Sequence, residues 1–464
     1  MNTAIAWFRR DLRLSDNPAL LAAAEAAGTV VPVYIWSPED EGDWAPGGAQ
    51  RWWLHRSLAA LSSALEERGS RLVIRRGPAR EALARLVAET GAGGVFWNRL
   101  YDPALVERDA LIKRDLAREG VEARSFRAGV LFEPQEIRTG QGGPYRVFTP
   151  FWRACQKLPE PTAPVAPPAG LPAPAEWPRG LSVDDLGLMP TLDWHEPLEE
   201  AWTPGEHGAH GRLDAFVQDA LEGYATQRDR PDRAGVSMLS PYLHHGELSP
   251  RQAWHAVAAR RGEAPERDVE SWLRELGWRE FAHHVLFHFP HTTTAPMHEK
   301  YAAFPWREDH EPMLEAWRRG RTGIPIVDAG MRQLWATGWM HNRVRMIVAS
   351  LLVKNIRAPW QAGARWFWDT LVDADLASNT MGWQWSAGCG ADAAPYFRIF
   401  NPVTQGEKFD PDGTYVKRWV PELRDMPARF VHKPWERPPP DYPAPVVDLK
   451  SSREEALAAL RSMG

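Results

Sequence analysis

Apolar and polar positions follow two different patterns, one in the first third of the chain and another after about residue 205. The first third contains short runs of branched and aromatic residues, each of the length of a buried strand. These runs are Thr3–Phe8, Val30–Trp36, Leu72–Ile74, Val95–Trp97 and Ala123–Phe126. Between them lie stretches with helical spacing, at Arg51–Arg68, Arg80–Glu89 and Ala104–Glu119. This alternation predicts a parallel sheet covered by helices.

The rest of the chain divides into a connector and a helical part. The segment Leu158–Gly180 is rich in proline, which disfavours regular structure and predicts an extended connector. From Gly205 onward the spacing of apolar residues is helical almost throughout. We therefore predict an α/β domain with a Rossmann-like parallel sheet over residues 1–130, a connector over 131–204 and a large all-α domain over 205–464. No GxGxxG follows the first strand, which argues against a conventional dinucleotide-binding domain.

Composition narrows the class of protein. The 464 residues are enough for two domains, and the net charge of −5 permits a local basic patch but not a uniformly basic surface. Two cysteines, Cys155 and Cys389, are too few for a disulfide framework, which indicates a reducing compartment. Neither a signal peptide nor a membrane-spanning stretch is apparent, so we expect a cytoplasmic location. The 24 tryptophans, many among polar residues of the second half, direct the search for a site there.

The segment Ser271–Phe289 mixes tryptophan with charged residues on one side of a predicted helix. Trp272, Glu275 and Arg279 lie near one stripe. Buried charges need partners, so this is not an ordinary core face and indicates a binding site. The alternative is a half-exposed helix carrying an i,i+4 pair between Glu275 and Arg279, and the segment alone leaves both interpretations open.

A second segment carries polar residues on the face where a core helix would have aliphatic ones. Asn342, Arg345, Met346 and Ala349 have the i, i+3, i+4, i+7 spacing of one helix face. An amide, a guanidinium and a thioether together suit a pocket for a polar, planar ligand.

Other clusters have simpler explanations. Asp373 and Asp375 could serve in metal or acid–base chemistry, but no further ligands follow at a suitable spacing. His284 and His288 have an i,i+4 spacing without a HExxH motif or a cysteine partner, so we expect no metal site. The arginines of the segment Arg9–Arg13 are typical of a solvated face or an ion-pair network.

Taken together, these segments resemble the photolyase/cryptochrome family over essentially the whole chain except the connector. The long motifs in the second half are highly specific. The motifs that carry the resemblance are WFRRDLRLSDNPAL (Trp7–Leu20), QRDRPD (Gln227–Asp232), SMLSPYLHHGELSPRQ (Ser237–Gln252), WLRELGWREF (Trp272–Phe281), TGIPIVDAGMRQLWATGWMHNRVRMIVASLLVK (Thr322–Lys354) and DLASNTMGWQWSAGCGADAAPYFRIFNPVTQGEKFD (Asp375–Asp410).

The resemblance implies an antenna-type α/β domain and a helical domain that binds FAD. Asn379 would face the N5 edge of the flavin, and Asp373 would pair with Arg345. The family's more common TSRLS phosphate loop reads Val236-Ser237-Met238-Leu239-Ser240 here, which alters the expected phosphate contacts. The residues implied to contact FAD are Tyr224, Ser237, Met238, Leu239, Ser240, Trp272, Arg279, Asn342, Arg345, Asp373, Asp375 and Asn379.

The resemblance also implies light-driven repair of UV-damaged DNA, in which excited reduced FAD passes an electron to a cyclobutane pyrimidine dimer. The lesion would leave the duplex, as it does in base-flipping enzymes, among which photolyases are counted. The residues implied in catalysis are Glu275, Asn342 and Asn379, with an electron relay of Trp306, Trp360 and Trp383. The residues implied to contact DNA or the lesion are Arg228, Glu275, Trp278, Arg343, Met346, Trp385 and Gln405.

Three other functions compete with this one. A (6-4) photolyase usually has paired histidines where this chain has Asn342 and Met346, and a cryptochrome photosensor often changes the residue at Asn379. A flavoenzyme of another redox class is disfavoured by the missing dinucleotide fingerprint. We also expect a second, antenna chromophore, either a folate, a deazaflavin or a flavin, with an acid kept near Glu107. The protein is expected to be a monomer and not to bind membranes.

Overall fold

A five-stranded parallel sheet forms the first domain. The computed structural model describes residues 1–393 and 397–463. The strands are β1 (Thr3–Phe8), β2 (Thr29–Trp36), β3 (Val73–Arg76), β4 (Gly94–Asn98) and β5 (Glu122–Phe126), in the order β3-β2-β1-β4-β5. All neighbouring pairs are parallel. The predicted parallel sheet is confirmed, and each predicted strand overlaps an observed one.

Helices cover both faces of this sheet. Side chains alternate along β1, so that Ala4, Ala6 and Phe8 join one apolar cluster while Ile5 and Trp7 join the other. The helices of this domain are α1 (Pro18–Ala26), α2 (Gly48–Glu66), α3 (Ala79–Thr90) and α4 (Pro103–Arg118). The sequence analysis did not predict α1, an alanine-rich helix whose first turn is capped by the side chain of Asn17.

The remainder of the chain is largely helical, as predicted. Residues 156–183 contain no helix, in agreement with the proline-rich composition, although Leu181 forms an isolated bridge with Ile74 of β3. The α-helices are α5 (Phe148–Cys155), α6 (Glu196–Ala201), α7 (Glu206–Asp219), α8 (Tyr224–Gln227), α9 (Ser240–His245), α10 (Pro250–Ala258), α11 (Glu266–His288), α12 (Glu311–Arg318), α13 (Pro325–Thr337), α14 (Asn342–Ser350), α15 (Trp360–Thr370), α16 (Leu376–Ala387), α17 (Pro402–Phe409), α18 (Thr414–Trp419), α19 (Ala428–Val431) and α20 (Leu449–Arg461).

Shorter helical segments fill several connections. Leu351–Ile356 continues α14 as a π-helix. The 3₁₀ segments are Pro38–Trp44, Asp184–Leu186, Asp193–His195, Pro290–Thr293, Glu299–Ala303, Pro421–Leu423 and Pro434–Glu436. No helix within residues 1–393 and 397–463 combines the length and the apolar character that crossing a membrane requires.

One buried carboxylate joins three parts of the chain. Asp16, which follows β1, is fully buried and accepts hydrogen bonds from the Arg251 guanidinium at 2.5 Å and from the Ser249 hydroxyl. It also accepts a bond from the backbone N–H of Val165 in the proline-rich connector, at 3.0 Å. The α/β domain, the connector and the helical domain therefore meet at a single charged group.

The arginines after β1 are not a solvated face: Arg9 and Arg13 are buried and Arg10 is half-buried. Arg9 pairs with Asp109 at 2.7 Å, and Arg10 pairs with Asp102 at 2.6 Å. Arg13 donates to the backbone carbonyl of Gly246 in the helical domain at 2.8 Å. Of the two interpretations of this basic run, the ion-pair network is correct.

Candidate functional site

The segments that the sequence analysis selected converge on α11. This helix packs against α8 and α16, and α14 packs against α16 as well. The fold thus brings together stretches as far apart in the chain as Tyr224–Gln227 and Leu376–Ala387. Most of the predicted site residues lie on these four helices or in the loops next to them.

A hydrogen-bond network surrounds the first of the two aspartates. Arg345 on α14 donates to both carboxylate oxygens of Asp373, at 2.7 and 3.0 Å. The Ser240 hydroxyl donates to the same carboxylate at 2.6 Å, and the indole N–H of Trp339 donates to Ser240 at 3.2 Å. The carboxylate of Asp373 therefore holds Arg345 and the start of α9 in fixed positions, and the pairing of Asp373 with Arg345 is the one that the resemblance implied.

The second aspartate lies in a polar cavity between the two domains. Asp375 caps α16 by accepting from the N–H of Ser378, and its other oxygen lies 3.8 Å from the Nε2 atom of His283. Both ring nitrogens of the buried His283 lack a hydrogen-bond partner in the described part of the chain. Burial lowers the pKa of His283 to about 4, so its imidazole is neutral near pH 7. The cavity has a volume of about 30 Å³ and is also lined by Arg10 and His244.

Glu275 is paired across elements and not along its own helix. The Arg228 guanidinium donates to the Glu275 carboxylate at 2.6 Å, and this carboxylate raises the pKa of Arg228 against the lowering effect of burial. Arg279 instead donates to the carbonyl of Gly129 at 2.7 Å. The alternative of an i,i+4 pair between Glu275 and Arg279 is therefore wrong, because α11 directs these two side chains to different neighbours.

Aromatic side chains and a tight turn form the wall beside Glu275. Trp272 is buried against Phe216, with ring centroids 5.7 Å apart, and Tyr224 packs edge-on against the same ring at 5.6 Å. Met238 has φ +53°, a left-handed conformation that is uncommon for residues other than glycine. It lies within the segment Ser237–Ser240, at the centre of the predicted phosphate loop, and Leu239 there is buried.

Two asparagines were predicted to lie at the site. Asn379 on α16 is buried, and its amide donates to the carbonyl of Ala364 at 3.0 Å, which fixes its orientation. Asn342, the first residue of α14, is exposed, and its side chain makes no hydrogen bond to the described residues. The Ser237 hydroxyl likewise makes no hydrogen bond within the described range. These two polar groups are available to a ligand.

The predicted DNA-contacting residues are all half-buried side chains. Trp278 stacks on Phe148 of α5, with centroids 3.7 Å apart and planes 9° from parallel. Trp385 faces Phe400 at 6.4 Å, with Arg398 over its ring at 5.7 Å. The sequence analysis overlooked Phe148, whose FTPFW context is the one signal that could have drawn attention to it.

The remaining predicted DNA contacts lie on α14 and α17. Arg343 pairs with Asp229 at 2.7 Å and stands over the ring of Phe409 at 4.5 Å. Met346 lies one turn further along α14, with its sulfur 3.8 Å from the Arg343 guanidinium. Gln405 lies half-buried on α17.

The three predicted relay tryptophans belong to one apolar cluster. Trp383 and Trp360 are buried in it, each with 2% of its surface exposed, and Trp306 packs at its edge. Trp383 lies edge-on to Phe367 at 5.0 Å, and Trp306 lies 4.6 Å from Phe304.

A second cavity, of about 60 Å³, opens at the carboxyl ends of β1 and β2. Glu107, which the sequence analysis connected with the antenna chromophore, is exposed and does not line this cavity. Its neighbour Arg108 lines the cavity instead. Aromatic and charged side chains form the wall, among them Trp7, Arg10, Tyr34, Trp36 and Glu41. Parallel α/β sheets commonly bind ligands at the carboxyl ends of their strands.

The family comparisons agree with this geometry. Residues 4–172 match the family model described as DNA photolyase, and residues 272–462 match the one described as FAD binding domain of DNA photolyase. The fold and the site thus define a two-domain flavin-binding protein.

Individual relatives cover almost the whole chain. A deoxyribodipyrimidine photo-lyase of Agrobacterium fabrum is 51% identical over 98% of this chain and 97% of its own length. Cryptochrome-1 of Arabidopsis thaliana is 40% identical over 99% of this chain and 70% of its own length. The crystal structure of a bacterial class III photolyase from Agrobacterium tumefaciens superimposes with a TM-score of 0.96 at 50% identity, covering 100% of this chain and 98% of the other.

The chain belongs to the photolyase/cryptochrome family. The expected family, the two-part fold class, the photolyase class of enzyme and FAD as cofactor are confirmed by these comparisons.

Proposed function

We propose that this protein splits cyclobutane pyrimidine dimers in UV-damaged DNA by light-driven electron transfer from reduced FAD to a flipped-out lesion. The observation that carries the proposal is the arrangement on α11. There the Glu275 carboxylate pairs with Arg228 at 2.6 Å, and Trp278, three residues further along the same helix, is its neighbour on the helix surface, with its ring stacked on Phe148. A carboxylate can accept a hydrogen bond from a pyrimidine N–H, and an aromatic ring can stack on the base.

The residues of the helical domain would hold FAD as the family resemblance implies. Ser237 and the left-handed turn at Met238 would present donors to the phosphates, and Tyr224, Leu239 and Trp272 would enclose the cofactor. Excited reduced FAD would supply the electron, which is chemistry that belongs to the cofactor. The protein would orient the flavin ring and set the electrostatic environment at its edge. The polar residues that would do so are Ser240, Arg279, Asn342, Arg345, Asp373, Asp375 and Asn379.

The groups around Glu275 would position the lesion. Trp278 and Trp385 would form its two apolar walls, and Met346 would close a third side. Arg228 would orient Glu275 through their ion pair and, with Arg343 and Gln405, contact the DNA backbone, since guanidinium groups suit phosphate oxygens.

The tryptophans of the apolar cluster would carry electrons inward from the surface. Trp360 and Trp383 are both buried in this cluster and Trp306 is half-buried at its edge, which would suit Trp306 as the outer member of the relay. The cavity at the carboxyl ends of β1 and β2 would take the antenna chromophore, and its aromatic wall suits a planar ring system. The domain boundaries at residues 130 and 204, the monomeric state and the cytoplasmic location stay predictions.

The test is strand repair by the purified, reduced protein under blue light and in darkness. One DNA carries a defined cyclobutane dimer and another carries a (6-4) photoproduct. Light-dependent loss of the cyclobutane dimer alone is the expected result. Repair of the (6-4) lesion alone would contradict the interpretation of Asn342 and Met346.

A photosensor function is the second candidate, because Arabidopsis Cryptochrome-1 is 40% identical over nearly the whole chain. The same experiment separates the two functions. A flavin that undergoes photoreduction in a protein that repairs neither lesion would assign the chain to the photosensor branch.

A further inference from the structure

Helix α5 approaches α11 very closely, and its first residue is the ring that stacks on Trp278. Phe148 and Trp152 lie one turn apart on α5, and both are buried. The Trp152 ring fills the space in front of Gly277, where a Cβ atom would lie 2.6 Å from the indole. A side chain at this position would push α5 away. Gly277 therefore allows the close approach that brings Phe148 over the next residue of α11, Trp278, with ring centroids 3.7 Å apart.

The ring of Trp278 is held on two sides by the protein itself. Phe148 covers one face, with planes 9° from parallel, and Phe281 lies edge-on to the indole at 6.1 Å. The Phe148 ring is in turn fixed, because it is only 1% exposed and the Arg274 guanidinium stands over it at 4.9 Å. Side chains in such close packing occupy one rotamer. A lesion that stacks on Trp278 would thus meet an indole whose orientation is already set.

A short bridge connects the start of α5 to the loop that follows α16. The Asp392 carboxylate accepts a hydrogen bond from the backbone N–H of Phe148 at 3.2 Å, and the N–H of Asp392 donates to the Arg146 carbonyl at 3.1 Å. The first N–H groups of a helix have no partner within it, and the helix dipole favours a carboxylate there. Asp392 makes both bonds at φ +55°, a left-handed conformation that is uncommon for residues other than glycine. Strained conformations of this kind often occur next to functional sites.

The loop that carries Asp392 is anchored to the helix that carries Trp385. Residues 388–390 each donate a backbone N–H to the Gln384 carbonyl, at 2.9, 3.0 and 3.2 Å. The buried Gln384 side chain makes three further hydrogen bonds to the backbone of residues 292–297. Trp385 is the next residue. A nearly continuous series of hydrogen bonds therefore links the position of Trp385, through Asp392, to the start of α5.

We propose that Phe148 and Asp392 are positioning residues, which hold Trp278 and Trp385 at the separation that a pyrimidine dimer needs. The proposal rests on the DNA-repair function proposed above and names residues outside the lesion pocket that set its width. Because the two walls are fixed in advance, lesion binding does not have to order them. Ordering one side chain on binding lowers affinity by about 2- to 12-fold. The bases of an undamaged duplex stay stacked and do not reach the walls, so the effect should be specific to the dimer.

The first variant removes the ring beneath Trp278. Phe148→Leu eliminates the stack, and Phe151→Leu is the matched control. Phe151 lies on the same helix and is also 1% exposed, but it packs on Phe281 and His284, with centroids 5.2 and 5.0 Å away. Both substitutions therefore remove the same ring from the same helix, and only the first removes the stack on Trp278.

The second pair of variants separates the bridge from general packing. Asp392→Ala removes the acceptor for the N–H of Phe148 and places alanine in a left-handed conformation. Asp392→Asn keeps a side-chain oxygen as acceptor, and asparagine tolerates that conformation. Because Asp392 is only half-buried, both proteins should fold, and this pair decides the matter if Phe148→Leu does not fold.

Affinity is measured by fluorescence anisotropy in darkness, with the FAD-bound protein and duplexes with and without a cyclobutane dimer. Phe148→Leu and Asp392→Ala should bind the dimer about 2- to 12-fold more weakly and undamaged DNA as before. Phe151→Leu and Asp392→Asn should keep the affinity ratio of the unchanged protein. Repair at saturating dimer should stay the same, because the bound lesion then orders the walls. Flavin absorbance and thermal melting verify that each variant is folded.

The orientation of Trp278 is measured directly by ¹⁹F NMR of protein labelled with 5-fluorotryptophan. The variant Trp278→Phe identifies its signal among those of the 24 tryptophans. Loss of the stacked ring should shift this signal in Phe148→Leu and leave it in place in Phe151→Leu.

Three results would overturn the proposal. These are an unchanged affinity of Phe148→Leu or Asp392→Ala for the dimer, an equal loss in the matched control, and an equal loss on undamaged DNA. Failure of the proposed repair function has a different signature, because the unchanged protein would then neither prefer nor repair the dimer. The fluorine signal would still decide whether Phe148 fixes the orientation of Trp278.

Discussion

Gly363 allows the ring of Trp383 to lie directly against the backbone of α15. A Cβ atom built at position 363 would lie 2.1, 2.4 and 2.6 Å from three atoms of that ring. Carbon atoms in favourable contact are about 3.5–4.0 Å apart, so Gly363→Ala forces Trp383 or α15 to move by more than about 1 Å. Trp383 is buried, and its ring packs edge-on against Trp317 and Phe367, with centroids 6.1 and 5.0 Å away, so a shift of the ring disturbs these neighbours as well.

The expected net effect is a loss of stability. Overpacking of a core costs about 1–3 kcal/mol, while replacing a helical glycine by alanine contributes about 0.5–1 kcal/mol in the opposite direction. The variant should therefore be less stable by about 1–2 kcal/mol. For a domain of 150–250 residues, this corresponds to a fall in Tm of about 2–8 °C. If Trp383 belongs to the electron relay, photoreduction of the oxidised flavin should slow as well.

Gly211→Ala is the matched control. Gly211 lies in α7 with no atom within 4 Å of its potential Cβ, so the same substitution should leave the melting temperature equal or raise it. Thermal melting followed by circular dichroism, with flavin absorbance recorded alongside, compares the two variants. A Gly363→Ala protein that melts at or above the temperature of the unchanged protein would refute the packing argument.

The remaining predictions concern chemistry and pH. Glu275→Ala should lower repair about tenfold to hundredfold while FAD stays bound, because removing a hydrogen bond to a charged group costs about 1.5–3 kcal/mol. Full repair activity in this variant would show that Glu275 does not bind the lesion as proposed. Trp383→Phe should impair photoreduction of oxidised flavin and leave repair by chemically reduced protein largely intact; unimpaired photoreduction would mean that electrons enter by another route. Acidification should destabilise the fold through His284. The Nε2 atom of this residue accepts a hydrogen bond from the N–H of Tyr145, and its Nδ1 atom faces the carbonyl of Pro134. Because Nε2 is an acceptor, the ring must be neutral in the folded state. Burial lowers the pKa of His284 to about 4, below the ordinary value of about 6.5 that applies in the unfolded chain. The unfolded state therefore binds more protons, and urea unfolding should show stability falling as the pH drops from 6.5 toward 4. His284→Gln should weaken this dependence, and an unchanged pH profile in that variant would contradict it.

The fold was largely predictable because its signals are local. Apolar runs of strand length predicted the sheet, helical spacing predicted most of its helices, and the proline content predicted the connector. The sequence analysis missed helix α1 because its alanine-rich sequence has weak amphipathic character. This helix is stabilised by the cap at Asn17 and by packing against β1 and β4. Such stabilisation comes from tertiary contacts, which spacing alone does not reveal.

The candidate site was predictable to the extent that its motifs are contiguous. The residues of α11, α14 and α16 were found together, and the pairing of Arg345 with Asp373 was expected, but the partners of the α11 residues were not. Pairing of Glu275 with Arg228, across 47 positions, replaced the expected partner on the same helix. Stacking of Phe148 on Trp278 joins segments 130 residues apart, and the bridge from Asp392 to Phe148 likewise exists only after the helices have packed. Long-range contacts of this kind depend on topology.

The buried carboxylate of Asp16 bears on what happens when the backbone is cut. A protease that cuts at exposed residues between Leu171 and Gly180, such as Ala173 or Ala175, would break the covalent link between the α/β and helical domains. Separating the fragments would then break the buried ion pair between Asp16 and Arg251 and the hydrogen bond from Arg13 to the carbonyl of Gly246. The two pieces should therefore stay associated after nicking and copurify as a non-covalent complex, so the chain could be produced as two coexpressed halves.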